Sequence, residues 1–167
     1  MKTLAARKAT KPFLALTAAD LMTRDPITIP EHMSLRTAAH QLSRGRITGA
    51  PVINALGACI GVLSATDFMQ WAEGQRKGQP EASAECVCAD WQMLEPEELP
   101  SDEVREFMSN DPVTARPATG ITDLARMMID AHIHRIIIVD AQNRPIGIVS
   151  STDILAAVAY AGRTLAG

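Results

Sequence analysis

Two stretches of the sequence, "GVLSATDF" at Gly61–Phe68 and "GIVSSTDI" at Gly147–Ile154, follow the same pattern. Each reads glycine, two aliphatic residues, a serine, a small residue, a threonine, an aspartate and an apolar residue. A short aliphatic run that leads into a polar, helix-starting segment predicts a strand followed directly by a helix. The return of this strand–helix corner 86 positions later indicates an internal duplication.

The duplication extends well beyond the corner. A shift of 86 residues aligns Leu21–Phe68 with Phe107–Ile154 without a gap, and many of the pairs that are not identical exchange one apolar residue for another. Each copy reads strand–helix–strand–strand–helix, and we expect the two small copies to pair because neither buries a sufficient core alone. Identical pairs outside the corner include Asp25/Asp111, Pro26/Pro112, Thr28/Thr114, Ala39/Ala125 and Ile47/Ile133.

Composition excludes several classes of protein. Among 167 residues, 47% are apolar but only 4% are aromatic, and the formal net charge is −3. A basic footprint for nucleic acid and a supply of stacking aromatics are therefore both missing. No apolar run approaches the roughly 18 residues that span a bilayer, so we expect no membrane association. Three cysteines, without a visible signal peptide, predict a cytoplasmic protein rather than a disulfide-bonded one.

The repeated corner allows two interpretations. In one, the serine and the aspartate only cap the helix that follows. In the other, free N–H groups and the hydroxyls of Ser64 and Thr66 donate to phosphate oxygens, and the Asp67 carboxylate accepts from both hydroxyls of a ribose. The first glycine would then let a flat base approach the backbone. Capping alone explains less well why two hydroxyls and the acid recur at one spacing.

With these motifs in view, both copies resemble CBS (cystathionine-β-synthase-type) domains, and the chain is similar to a stand-alone CBS pair. The matching signatures are "DPITIP", "GAPVIN" and "GVLSATDF", and "DPVTARP", "HRIIIVD" and "GIVSSTDI". The resemblance implies an α+β fold, a tandem pair of β-α-β-β-α units packed with pseudo-twofold symmetry. We expect CBS domain 1 at residues 16–72 and CBS domain 2 at 103–161, with a linker at 73–102 and tails at 1–15 and 162–167.

The resemblance also implies a ligand. Clefts of the family commonly bind adenosine-containing molecules such as AMP, ADP, ATP or S-adenosylmethionine, which act as regulatory ligands, and no cofactor is required. The aspartates would hold the ribose, the hydroxyls the phosphate, and the short strands the base. The expected nucleotide-binding residues are Thr28, Gly49, Ala50, Pro51, Ser64, Thr66 and Asp67 in the first copy, and Thr114, His134, Arg135, Ile136, Ser150, Thr152 and Asp153 in the second.

The two clefts are not expected to be equal. Arg135 replaces Gly49 in the second copy, and its guanidinium can pair with phosphate oxygens in two parallel hydrogen bonds or, alternatively, with a carboxylate such as Asp130 or Asp153. We therefore expect the Asp153 cleft to favour the more phosphorylated ligand. Ile137 stands where the first copy has Pro51, so the base pocket of the second copy differs from the usual pattern.

Other functions have weaker support in the sequence. His132 and His134 alternate as on a strand, which would turn them to opposite faces, and Cys86 and Cys88 have no second pair of metal ligands, so neither a metal site nor catalysis is expected. A redox role for Cys86 and Cys88 would need an exposed thiol of low pKa. The serious alternative is a ligand-free dimerisation module. In both cases we expect a homodimer, and the sensor would act on a separate effector protein that the sequence does not identify.

Overall fold

The computed structural model describes residues 11–76 and 99–164, which form two compact units. The central unit comprises residues 27–112, and the terminal unit combines residues up to 26 with those from 113 onward. Short 3-10 turns lie at Phe13–Ala15 and Val104–Glu106. The elements in chain order are α1 (Ala18–Leu21), β1 (Thr23–Arg24), β2 (Ile29–Pro30), α2 (Leu35–Gly45), β3 (Gly49–Ile53), β4 (Cys59–Ser64), α3 (Ala65–Arg76), β5 (Ser109–Asn110), β6 (Thr114–Ala115), α4 (Ile121–Asp130), β7 (Arg135–Val139), β8 (Pro145–Ser150) and α5 (Ser151–Thr164).

The central unit is built on a four-stranded sheet in the order β2-β3-β4-β5. Strands β2 and β3 run parallel, and the β3–β4 and β4–β5 pairs are antiparallel. Helix α2 begins at Ser34, whose hydroxyl accepts from the Thr37 amide at 3.3 Å, and its apolar face is buried. That face supplies Leu35, Ala38, Ala39 and Leu42 to a core that also contains Ile29, Leu63 and Phe68.

The terminal unit repeats this plan in the order β1-β8-β7-β6. Here β6 and β7 are parallel, whereas β7–β8 and β1–β8 are antiparallel. Ile121, Leu124 and Met128 are buried on one side of α4, as the i, i+3, i+7 spacing predicts. The α+β class, with two copies of the strand–helix–strand–strand–helix plan, is confirmed.

The segment that opens each repeat packs in the unit of the other repeat. In the terminal unit, the Ala18 amide donates to the Thr119 carbonyl at 2.8 Å, and in the central unit the Val104 amide donates to the Met33 carbonyl at 2.8 Å. These two hydrogen bonds are equivalent under the shift of 86 residues. The two packed units therefore do not have the same boundaries as the two repeats along the sequence. The predicted domain limits follow the repeats, and they stay a prediction.

Positive backbone φ angles fall at matched positions of the two repeats. Asp25 and Asp111 have φ of 53° and 58°, and Arg46 and His132 have φ of 51° and 54°. The third pair is Gly57 with φ 77° and Asn143 with φ 61°. Left-handed residues close turns and helix ends, so both copies change direction by the same backbone device. Helix α2 ends at Gly45, and the next residue, Arg46, adopts the left-handed conformation.

The first glycine of each repeated phrase contacts the protein itself. A Cβ at Gly61 would lie 2.8 Å from the Ser109 carbonyl oxygen and 2.7 Å from Met108 Sδ, and a Cβ at Gly147 would overlap Met22 Sδ. Because these glycines have no side chain, a strand from the other repeat can pair closely with them: β5 beside Gly61 and β1 beside Gly147. This replaces the interpretation of the glycine as a place for a base to approach.

Across the described ranges, no helix is both long enough and apolar enough to cross a bilayer. Most of the predicted linker, including Cys86 and Cys88, lies outside the described residues, as do most of the N-terminal tail and the last three residues.

Candidate functional site

At the corner where α3 begins, in the central unit, the Asp67 carboxylate accepts hydrogen bonds from neighbouring protein groups. Asp67 is only 5% exposed and is the one buried charged residue among those described. Its Oδ2 accepts from the Ser64 amide at 2.6 Å and from the Ser64 hydroxyl at 2.7 Å. Its Oδ1 accepts from the Ser109 hydroxyl at 2.8 Å, across the β4–β5 pair. Both carboxylate oxygens are therefore engaged within the protein.

At the matching corner where α5 begins, in the terminal unit, the aspartate accepts fewer hydrogen bonds. Asp153 Oδ2 accepts from the Ser150 amide at 2.8 Å and from the Ser150 hydroxyl at 2.6 Å, and the Asp153 amide donates back to that hydroxyl at 3.3 Å. This reciprocal pair is a capping box. Within the described residues no hydrogen bond to Asp153 Oδ1 is found, and the side chain is partly exposed. One oxygen of this acid is thus available to a ligand hydroxyl.

The helix starts offer fewer free donors than the phosphate interpretation assumed. The Ser151 amide donates to the His134 carbonyl and the Ala65 amide to the Thr48 carbonyl, each at 2.9 Å. The hydroxyls of Ser64 and Ser150 are used for capping, as described above. Thr66 and Thr152 are exposed in the first turns of α3 and α5, so they remain the hydroxyls best placed to meet an anion.

The residues expected around the base lie along the adjoining strands. Gly49 pairs with Ser64, and Arg135 pairs with Ser150, so each stands directly beside its corner. Arg135 and His134 are exposed. Thr114 pairs with Ile137 between β6 and β7. Ala50, Pro51 and Ile136 are buried on β3 and β7, which have a partner strand on each side.

Two side chains at the central corner were not singled out from the sequence. Ser109 contacts Asp67, and Gln41 Nε2 on α2 donates to the Thr28 carbonyl at 3.2 Å. Both have counterparts under the shift of 86 residues, Thr23 and Met127 respectively. A position-by-position comparison of the copies would have shown that both places differ, although not which atoms they reach.

The histidine and cysteine predictions have separate outcomes. His132 was expected on a strand, but β7 begins only at Arg135 and His132 lies in the left-handed turn after α4, so the alternation argument was wrong. Among the residues with assigned structure, no cluster of His, Cys, Asp or Glu has the geometry to hold a metal ion. Burial raises the pKa of the Cys59 thiol, which disfavours a reactive thiolate at that position.

A family model described as the CBS domain matches residues 18–74 and 104–160, more than half of the chain. The protein MJ1426 of Methanocaldococcus jannaschii is 27% identical over 152 residues, which cover 83% of this chain and 89% of that protein. A homoserine O-acetyltransferase of Methanococcoides burtonii is 29% identical over 136 residues. The match covers 81% of this chain but only 23% of that enzyme.

Solved structures share the fold. CBSX2, a CBS-pair protein of Arabidopsis thaliana, was solved in complex with AMP; it has a TM-score of 0.67 and 23% identity, with 88% of this chain and 98% of that chain covered. The CBS domain pair of MJ0100, in complex with 5′-methylthioadenosine and S-adenosyl-L-methionine, has a TM-score of 0.63 and 21% identity, with 86% and 99% covered.

Proposed function

This chain belongs to the CBS domain family, and we propose that it is a regulatory sensor for an adenosine-containing ligand. AMP, ADP, ATP and S-adenosylmethionine are the candidates. The bound ligand would act on a separate effector protein in the cytoplasm, and we propose no catalytic activity for the chain. Proteins of the same fold that were solved with AMP or with S-adenosyl-L-methionine support this choice of ligand class.

The observation that carries the proposal is the open oxygen of Asp153. A ribose presents two neighbouring hydroxyls, and a carboxylate oxygen that is held in place by capping but is still accessible is a suitable acceptor for them. Thr152 beside it is exposed, and Arg135 stands across from Ser150 on the neighbouring strand, so donors for phosphate lie next to the acceptor for ribose. A hydroxyl, an acid and a cationic residue thus belong to one strand–helix corner.

Calorimetric titration of the full chain with each of the four ligands tests the proposal. Asp153→Ala is expected to weaken binding by about 10–100-fold, since a charge-assisted hydrogen bond contributes about 1.5–3 kcal/mol. Asp123→Ala, which removes an exposed aspartate from the first turn of α4, is the control and should leave affinity unchanged. If none of the ligands binds the wild-type chain, the sensor proposal is rejected.

A ligand-free dimerisation module is the second candidate, and one surface favours it. A groove of about 510 Å³ in the terminal unit runs along α4 and α5 and is lined mainly by apolar side chains. Ile129 is 73% exposed and Leu155 is 66% exposed at this groove. A second copy of the chain that covers them would remove apolar surface from water.

Dimerisation can be tested independently of any ligand. Ile129→Asp is expected to weaken self-association at least tenfold by placing a charge in the groove, as measured by sedimentation equilibrium. Its counterpart in the central unit is Ser43, which is exposed and polar, so Ser43→Asp should leave the dimer unchanged. A dimer that resists Ile129→Asp would mean that another surface forms the contact.

A further inference from the structure

We infer that the corner of the central unit is closed by the chain's own Ser109 and Gln41, so that each chain takes one adenosine ligand, at the corner of the terminal unit. This inference rests on the proposed function for the identity of the ligand. It goes beyond that function because it assigns two side chains as internal substitutes for a ligand and removes one of the two expected sites.

Ser109 takes the place of a sugar hydroxyl. Its Oγ donates to Asp67 Oδ1 at 2.8 Å, while Ser64 donates twice to Oδ2. A ribose hydroxyl would have to displace Ser109 to reach the same oxygen, and the 5% exposure of Asp67 leaves little room for both. At the other corner the residue equivalent to Ser109 is Thr23, and no hydrogen bond joins Thr23 to Asp153 within the described residues.

Gln41 takes the place of a base amino group. Its Nε2 donates to the Thr28 carbonyl at 3.2 Å, at the strand where the base of a ligand is expected. A carboxamide NH₂ and the exocyclic NH₂ of adenine are the same type of donor, so Gln41 competes with a base for this carbonyl. The equivalent residue in the terminal unit is Met127, whose thioether has no hydrogen to donate. A carbonyl at Thr114 therefore meets no such competitor from α4.

These two observations are independent, because one comes from β5 and the other from α2. Each side chain donates to an acceptor that a nucleoside would otherwise use: Ser109 to the acceptor for the sugar and Gln41 to the acceptor for the base. Both are specific to the central unit, whereas the capping by Ser64 and Ser150 is common to the two corners. The asymmetry therefore arises from side chains and not from the backbone.

Calorimetry with AMP and with S-adenosylmethionine as probes gives the stoichiometry. The wild-type chain is expected to bind one molecule per chain, Asp67→Asn to keep that site, and Asp153→Asn to lose at least tenfold in affinity. The double variant Gln41→Met with Ser109→Ala should gain a second site. Thr23→Ala, the matched change at the other corner, should leave one site.

The inference is overturned if the wild-type chain binds two molecules per chain, or if Asp67→Asn weakens binding as much as Asp153→Asn does. A double variant that folds but still binds only one molecule would also overturn it. Circular dichroism and the thermal midpoint of the double variant establish whether it is folded.

A readout without ligand separates this inference from the proposed function. If Ser109 completes the Asp67 site, Asp67→Asn should lower the thermal midpoint by about 4–8 °C, and Asp153→Asn should change it by about 2 °C or less. Equal effects would overturn the closure even if a ligand binds. If no probe binds the wild-type chain, the proposed function fails, and the difference between these two midpoints still decides whether the central corner is closed.

Discussion

Asp67 and Asp153 lie in the first turns of matched helices, α3 and α5. Asp67 is buried and accepts three hydrogen bonds, whereas Asp153 is partly exposed and accepts two. The backbone devices around them are the same, including the left-handed residues at matched positions. The corners differ in the side chains that neighbouring elements bring to them, such as Ser109 beside Asp67. A duplicated fold can thus keep its architecture in both copies while a few contacts decide which aspartate keeps an open carboxylate oxygen.

The largest difference that a mutation should expose lies at the paired glycines. Gly61→Ala is expected to cost about 2–3 kcal/mol of unfolding free energy, because the new Cβ meets the Ser109 backbone oxygen as well as Met108. Gly147→Ala should cost about 1–2 kcal/mol, since the three atoms nearest to its Cβ all belong to the Met22 side chain, which can move. Urea denaturation measures both free energies.

Removing each methionine sharpens the comparison. In a Met22→Ala background the cost of Gly147→Ala should fall below about 0.5 kcal/mol, whereas in a Met108→Ala background most of the cost of Gly61→Ala should remain. Equal relief in the two backgrounds would show that the Ser109 backbone is not the obstacle at Gly61.

A smaller difference is expected at the starts of α2 and α4. Ser34 caps α2 through its hydroxyl, but the matched residue Gly120 provides no side-chain cap for α4. Ser34→Ala should therefore cost about 1 kcal/mol, and Gly120→Ser should gain about 0.3 kcal/mol. A Cβ at Gly120 would meet only Asp123 Oδ2, at 3.8 Å, so the serine fits.

Gly120→Ala is the control for that gain. It adds the same Cβ without a hydroxyl, and it should leave the protein about 1 kcal/mol less stable than Gly120→Ser does. If serine and alanine at this position gave the same denaturation midpoint, capping would not be the cause.

The smallest effect concerns pH. Burial raises the pKa of Asp20, but hydrogen bonds from Lys11 and Thr17 outweigh it, so the pKa lies below its usual value. A folded-state pKa below the unfolded one stabilises the protein above the unfolded value of about 4, and the contribution is lost as the pH falls through the folded-state pKa. Asp20→Asn should therefore cost less than about 1 kcal/mol at pH 7, because Lys11 is exposed.

The matched residue in the central unit provides the comparison. Glu106 is exposed in the 3-10 turn that replaces α1 there, so Glu106→Gln should hardly change stability at pH 7. Urea denaturation at pH 7 and at pH 3 should show the Asp20→Asn loss shrinking in acid. A loss that stays constant with pH would mean that the charge of Asp20 is not involved.

Short-range features could be predicted from the sequence with little error. Thr17 and Asp20 have the three-residue spacing of a capping box, and the Thr17 amide and hydroxyl donate to Asp20 Oδ2 at 3.0 and 2.9 Å. The Ser34 cap, the turn after Ile53 and the strand–helix corners also depend on residues within a few positions of one another. Such contacts form from local chain geometry, which the residue pattern records directly.

The site could be predicted only in part. The serine and aspartate of each corner lie where the repeat placed them, but Ser109 is 42 residues from Asp67 along the chain and reaches it only because β5 joins the sheet of the first repeat. Gln41 faces Thr28 because α2 packs on that sheet. Neither contact can be recognised from the neighbouring sequence, because a serine or a glutamine on a polar face is just as often a side chain exposed to solvent.

By itself the sequence determined two copies of one plan, the elements within each copy and the acid at each corner, because these follow from periodicity and short spacings. The tertiary structure alone decided which sheet each opening strand joins. The two repeats present nearly the same edge, so a strand cannot be assigned to its own or the other copy from its pattern. That exchange brings Ser109 to Asp67 and places the matched residue Thr23 on the sheet of the other corner. The hydrogen bond that only the first of these two side chains makes within the described residues leaves Asp153 with the open oxygen.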